Sequence, residues 1–302
     1  MSTREHYVGL GPEYEPRIHV AAVTAVRTIT EGMLRVTLAG PDMADYPTSG
    51  IGDEYVRLFF PPNESAPIWP FLDGRGWDYP AGTEPMEMRT YTIRAHRPGE
   101  VDVDFVVHDG GVAAAWAAQA TPGKRVGLTP PQPMYERPDW ARRQILIADE
   151  PALPAALRIV ELTSDDVETV VIAEVRGHAN QVEAQHGNAS YTWLRGSGNG
   201  HAPSSLVPAL RRAALDDSTF VWVAGEARLT REARKYLRHE RKMAAEAYRA
   251  VGYWIDNGEE WSARYEALGP EVHARLEALY ESDRDTEEIM DEVFRVYEAA
   301  GL

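Results

Sequence analysis

From about His19 to Val126 the chain alternates apolar and polar positions in short runs separated by turn residues. "HVAAVTAVR", "GMLRVTLAG" and "DEYVRLFFP" have this form. In the second, Leu34, Val36 and Leu38 face one way and Arg35 and Thr37 the other, the period of a strand. "VDVDFVVH" repeats it with Val101, Val103, Phe105 and Val107, and "GKRVGL" closes the series. Strands of this length and spacing predict a small sandwich or barrel. An insertion between Pro61 and Pro85 carries Trp69, Phe71, Trp77 and Tyr79 and is expected to cap the β unit or to line a ligand. "DGGVAAAWAAQATPG" predicts a helix opened by two glycines and closed at Pro122-Gly123. A glycine turn at a helix start can present free N–H groups to an anion.

Beyond Trp140 the pattern changes. "RQILIADE", "ETVVIAEV" and "STFVWVAGE" are unbroken apolar runs, as expected of strands buried on both faces. "SYTWLR" and "YRAVGYW" add two shorter strands. Helical segments fall between them: about Pro154 to Glu161, "APSSLVPALRRAAL", and the long polar "RLTREARKYLRHERKMA". Strands alternating with helices predict βαβ units and a parallel sheet, whose ligands sit at the carboxyl ends of the strands. Those ends are "ADEPALP", "EVRGHA" and "AGEAR". The remainder, Glu259 to Leu302, is acidic and helical. One stripe is Trp261, Tyr265 and Leu268; another is Ile289, Met290, Val293, Phe294 and Tyr297. Both are expected to pack on the second domain or on another subunit.

One strand departs from simple alternation. In "EMRTYTIRAH", Arg89, Tyr91 and Ile93 fall on one face and Thr90, Thr92 and Arg94 on the other. A cation, a flat ring and hydroxyls together suit a large flat ligand carrying phosphate.

Composition narrows the function. The 302 residues predict two domains with an appendage. The absence of cysteine excludes disulfides, thiolate nucleophiles, iron–sulfur ligation and cysteine-bound zinc. The histidines show no paired spacing, so no protein-held metal is expected. A net charge of −16 argues against nucleic acid as a partner. No apolar run is long enough to span a bilayer, and the N-terminus lacks a signal-peptide core, so a cytoplasmic location is expected.

The order of "RTYTIR" with "VDFVVH", "GVAAAWAAQATPG", "ADEPALPA", "WVAGEARL" and "YRAVGYW" resembles the siderophore-interacting proteins. These are a branch of the ferredoxin–NADP reductase-like flavoenzymes that reduces ferric siderophores. The resemblance runs from about Ile18 to Gly258. It implies an α+β two-domain fold: an antiparallel FAD-binding β-barrel over 15–139, an NAD(P)H-binding α/β parallel-sheet domain over 140–258, and a helical C-terminal extension over 259–302. Arg89 would then meet the FAD pyrophosphate, flanked by Thr90. Tyr91 would lie against the isoalloxazine, and Thr92 near its reactive edge. His108 and the turn Gly111, Val112 and Ala113 would hold the adenine-diphosphate half. Asp149 and Glu150 would border the nicotinamide entrance, with Gly225 and Glu226 opposite, and Tyr253 and Trp254 would close the flavin site. Tyr91, Thr92 and Trp254 are the implied catalytic positions. Pro151 departs from the family by removing a donor next to this entrance.

An anionic siderophore needs local positive charge in so acidic a chain. Arg249, Arg75 and Lys242 are the basic candidates by sequence position. Arg176 and His178, after the second parallel strand, could meet a 2′-phosphate. The expected donor is NADH or NADPH, or a reduced ferredoxin. Two alternatives stay open: a flavin-based electron donor to a protein partner, and a siderophore-binding protein without turnover. Oligomeric state is not specified by the sequence.

Overall fold

A computed structural model describes residues 14–63, 66–73, 76–108 and 110–302. Six strands close into an antiparallel barrel in the order β1-β2-β7-β6-β3-β8. They are β1 (His19–Thr30), β2 (Met33–Ala39), β3 (Tyr55–Phe60), β6 (Glu87–Arg97), β7 (Glu100–Val106) and β8 (Arg125–Leu128). The alternation seen in the sequence fills the interior: Val36, Leu38, Val56, Leu58, Ile93, Val101, Val103 and Phe105 are fully buried. Val107, expected to continue the inward face, lies beyond β7 and is exposed. The other face of β7 is covered too. Asp104 takes Arg35 at 2.6 and 2.7 Å, and Asp102 takes the Thr37 hydroxyl at 2.7 Å and Arg97 at 2.9 Å. Helix α1 (Val112–Ala118) plugs the barrel with Trp116, packed between Phe60 and Phe105.

The aromatic insertion forms a short hairpin of β4 (Phe71–Asp73) and β5 (Gly76–Asp78). Trp69, Trp77 and Tyr79 pack on Ile18, Phe59 and Met86, so these three rings cap the barrel rather than line a ligand; Phe71 is exposed.

The second unit is a five-stranded parallel sheet in the order β11-β10-β9-β12-β13. Its elements in chain order are β9 (Arg143–Ala148), α2 (Leu153–Leu162), β10 (Glu168–Val175), β11 (Ala189–Arg195), α3 (Leu206–Arg212), β12 (Thr219–Glu226), α4 (Ala227–Lys235) and β13 (Tyr248–Trp254). The central strands are buried on both faces, one against α2 and the other against α3 and α4. The polar helix predicted to run through Met243 is shorter. After Lys235 it widens into a π-helical turn, Tyr236–Glu240, and ends.

The two units share a buried seam. Arg158 of α2 donates to Ile93 O and to Glu54 Oε2, both at 2.6 Å, and the Glu54 side chain is wholly inaccessible. Asp53 accepts from Met134 N at 2.9 Å and Tyr135 N at 2.5 Å, and from the Trp222 indole of β12 at 3.3 Å. Gly52 presses on α2 so closely that a Cβ there would lie 2.6 Å from the Ile159 Cα.

The extension forms α5 (Gly258–Glu266), α6 (Pro270–Tyr280) and α7 (Thr286–Ala300). Rather than packing chiefly on the sheet domain, the α7 stripe packs within the extension: Ile289 and Val293, with Val296, meet Leu276 and Leu279 of α6, and Tyr265 of the first stripe lies at the rim with Tyr297. Polar contacts tie α7 to the sheet domain. Arg234 pairs with Asp291 at 2.5 Å and with Glu287 at 2.8 Å, and the Tyr248 hydroxyl donates to Glu287 at 2.6 Å. Among the described residues no helix is long and apolar enough to cross a membrane.

Candidate functional site

A cavity of about 800 Å³ opens where the barrel meets the carboxyl ends of the parallel strands. On the barrel side it is walled by Met88, Arg89, Thr90, Tyr91 and Thr92 of β6 and by His108, Gly111, Val112 and Ala113 at the start of α1. On the sheet side stand Glu150, Arg176, Tyr253 and Trp254. Residues far apart in the sequence therefore face one cavity.

β6 changes character along its length. Glu87 to Thr90 are exposed, whereas Thr92, Ile93 and Arg94 are buried. Tyr91 lies at the transition. One side of its ring meets Phe105, with centroids 4.4 Å apart, and burial pushes its phenol up to about 12. It remains a neutral ring throughout the physiological range. Beside it, the Arg89 guanidinium pairs with the exposed Glu87, at 2.7 Å, and donates to the carbonyl of Met88, at 2.8 Å. Such an exposed pair is weak and easily exchanged for a stronger anion.

The helix start is shaped for close approach. Gly110 and Gly111 adopt φ of 90° and 81°, and a Cβ on Gly111 would come within 3.3 Å of the His108 ring. The backbone of this turn is thus left bare toward the cavity.

On the sheet side, Asp149 and Glu150 separate. Glu150 lines the cavity. Its Oε1 accepts from Arg176 N at 2.7 Å, while Oε2 is buried without a hydrogen-bond partner. Burial raises its carboxyl, opposed by the Arg176 N–H and guanidinium. Asp149 does not reach the cavity. It lies behind the wall and accepts three N–H groups: Trp254 Nε1 at 2.7 Å, Glu226 N at 2.8 Å and Ala152 N at 3.2 Å. Desolvation nevertheless drives it up to about 7, against those three donors. Its position is that of a residue holding Trp254, which does face the cavity.

Gly225 and Glu226 also fall outside the lining. Gly225 packs on Asp149, and Glu226 caps α4 by accepting from Arg228 N at 2.6 Å and Leu229 N at 3.2 Å. Arg249 is exposed on β13 and does not line the cavity. Lys242 precedes β13, at the end of the strand opposite Trp254, and lines no part of the cavity. Arg75 lies outside the described residues. The buried Tyr253 hydroxyl makes no hydrogen bond of ordinary length, although the Thr92 side chain of the barrel interacts with it.

Sequence reasoning missed Asn199, Gly200 and Asp256, which complete the cavity. Asn199, at φ 55°, accepts from Glu150 N at 2.9 Å and donates to Glu174 O at 3.1 Å, so it fixes Glu150 from the loop after β11. The glycine-rich "GSGNGHAP" at a strand's carboxyl end was the available signal.

Two family models cover most of the chain: "Siderophore-interacting FAD-binding domain" over residues 22–135 and "Siderophore-interacting protein" over 141–257. The NADPH-dependent ferric-chelate reductase of Escherichia coli is 28% identical over 249 residues, 79% of this chain and 93% of the relative. The ferric vibriobactin reductase of Vibrio cholerae is 30% identical over 237 residues, 75% of this chain and 85% of the relative. The crystal structure of a siderophore utilization protein from T. fusca superposes with a TM-score of 0.70 at 33% identity, covering 80% of this chain and 94% of the other. Barrel, parallel sheet, shared cavity and these likenesses together place the chain in the siderophore-interacting protein family.

Proposed function

We propose that the protein is an FAD-dependent reductase of ferric siderophores that takes electrons from NADH or NADPH. The observation that carries this reading is the single cavity in which a phosphate-competent arginine, a neutral ring and a bare helix-start turn face the nucleotide edge of a parallel sheet. The chemistry supplied by a bound flavin is the exchange between a two-electron hydride donor and a one-electron acceptor such as Fe(III). The named relatives from Escherichia coli and Vibrio cholerae support the same assignment.

The residues present fit the cofactor. Arg89 offers a planar fork to phosphate oxygens. Thr90 and Thr92 supply hydroxyls, and Tyr91 supplies a ring face. Gly111, Val112 and Ala113, with His108 beside them, offer backbone N–H groups to the adenine-diphosphate half. On the sheet side, Glu150 Oε2 makes no hydrogen bond, with Arg176 Nε 3.7 Å away, and suits a ribose hydroxyl, and Arg176 suits phosphate. Trp254 covers the cavity from the C-terminal side, and its orientation is held by Asp149. In this reading residues 15–139 carry FAD, 140–258 carry the nicotinamide nucleotide, and 259–302 form an extension; the protein works in the cytoplasm. Fe(III) held by hard oxygen donors loses affinity for them on reduction, so one electron opens the chelate.

Purified protein is expected to release FAD, not FMN, on denaturation. Arg89→Ala should weaken FAD retention about 10- to 100-fold, the range for losing a charge-assisted hydrogen bond worth about 1.5–3 kcal/mol. Unchanged occupancy would remove Arg89 from the pyrophosphate site. The reaction itself is tested by trapping Fe(II) with a ferrous chelator during NADPH or NADH oxidation, with catecholate, hydroxamate and carboxylate siderophores as acceptors. Flavin that bleaches with nicotinamide yet yields no Fe(II) from any of them would overturn the assignment.

A further inference from the structure

A second concentration of chemistry lies away from the cavity, in a groove of about 530 Å³ between α4 and α7. Arg228, Arg231 and Lys235 enter it from α4, at the i, i+3, i+7 spacing that puts them on one face. Phe294 and Arg295 enter it from α7. The lining holds five cations against three carboxylates, in a chain whose net charge is −16. One of those carboxylates, Asp291, is already committed to Arg234 at 2.5 Å and Arg238 at 2.9 Å. Among the described residues, Arg228, Arg231, Lys235 and Arg295 form no ion pair.

Like charges three and four residues apart on a helix repel. Burial pushes the Arg231 guanidinium below its ordinary value; Glu226 and Glu298 oppose this, and the neighbouring Arg228 charge adds to it. Phe294 lies under the Arg231 and Arg234 guanidinium carbons, at 5.8 and 5.6 Å. Arg234 is itself buried, and its Nε has no hydrogen-bond partner. The groove thus presents cations on an aromatic floor, in excess of the carboxylates that line it.

We propose that this groove is a binding site for a small anion carrying two or more linked phosphates. Arginine forks match phosphate oxygens, and the spread of four cations over two helices matches several anionic groups better than one. The site is separate from the nucleotide cavity. None of its residues lines that cavity, and Arg176 and Asn199 arise from β10 and β11, in the other half of the sheet. It requires α7, which lies beyond residue 257 where the family models end. A ligand here would clamp the extension onto α4. The proposal does not depend on the redox reading above.

The test is isothermal titration of the full-length, FAD-loaded protein with sodium tripolyphosphate, with ATP and orthophosphate as parallel arms. Saturable one-to-one binding of tripolyphosphate is expected, with orthophosphate much weaker. Arg231→Gln and Arg295→Gln should each raise the Kd at least about tenfold, the effect of one lost charge-assisted contact. Arg295 is exposed, so its variant does not put folding at risk. Arg176→Gln, in the other cavity, should leave the Kd unchanged. Equal affinities for ATP and tripolyphosphate would identify the phosphate chain as what is read; tighter ATP would identify a nucleotide as the source. No saturable binding in the millimolar range, or binding indifferent to both Arg231→Gln and Arg295→Gln, would overturn the proposal.

Discussion

Arg158→Leu is expected to destabilise the protein by about 3–5 kcal/mol, the usual cost of stranding one member of a buried ion pair. The Glu54 side chain is wholly inaccessible, and among the described residues Arg158 is its one cationic partner, at 2.6 Å. Thr48 and Ser49 also donate to Glu54, but neither supplies charge. The same guanidinium holds Ile93 O, the carbonyl that follows Thr92 on the cavity wall. Loss of Arg158 should therefore loosen the seam between barrel and sheet as well as lower the midpoint of unfolding. Denaturant melts of Arg158→Leu, Glu54→Leu and the double variant make the measurement. The double variant should lose clearly less than the sum of the singles, because removing both partners leaves no stranded charge. Strict additivity would show that the pair is not coupled.

Asp149 is expected to impose a pH dependence that Asp149→Asn removes. Its carboxyl ionises at about 7 in the folded protein, against 3.8 for an ordinary aspartate, because burial outweighs three N–H donors. Between those values the folded chain binds the extra proton, so stability falls as pH rises through the window and levels off above about 7. At about 1.4 kcal/mol per unit, the loss is on the order of 4 kcal/mol. Asp149→Asn should flatten this slope between about pH 4 and 7. A second readout follows from geometry. Above the transition the Trp254 N–H meets a charged acceptor at 2.7 Å; below it, a neutral one. Under the proposed function, the rate of flavin bleaching by NADPH should inflect near pH 7 in the native protein and not in the variant. Superimposable profiles would detach Asp149 from Trp254.

Much of this architecture was legible in the residues. Strict alternation in "GMLRVTLAG" marked a strand, and the unbroken runs in "RQILIADE" and "ETVVIAEV" marked the buried parallel strands. The wall formed by Arg89 to Thr92 was legible because its composition broke the expected pattern. What could not be read were relations across strands. Asp149 stands at a strand end, where a ligand contact is the natural expectation. That it turns inward depends on Gly225 and Trp254, 76 and 105 positions further along. Asn199 acts from a loop whose glycines signal only freedom of the backbone. Lys242 is a candidate as a cation on the helical segment predicted before β13, and the seven-residue strand, at about 3.3 Å per residue, separates it from Trp254. The expected continuous helix after Arg228 ended early because a π-helical turn, set by packing of Tyr236 and Leu237, has no signature in hydrophobic periodicity.

Gly225 gives the sheet a position with almost no mutational tolerance, although it does not line the cavity. Its φ is 148°, and a Cβ there would sit 2.5 Å from Asp149 Oδ2, the oxygen that takes the Trp254 indole. Even alanine would wedge the carboxylate aside and free a tryptophan that belongs to the neighbouring strand. In a saturation scan scored for turnover, this glycine should register among the functional residues while contributing no chemistry. Variation in a lineage would be expected to reach Gly225 only together with Asp149 and Trp254, so the three are expected to change as one hereditary unit.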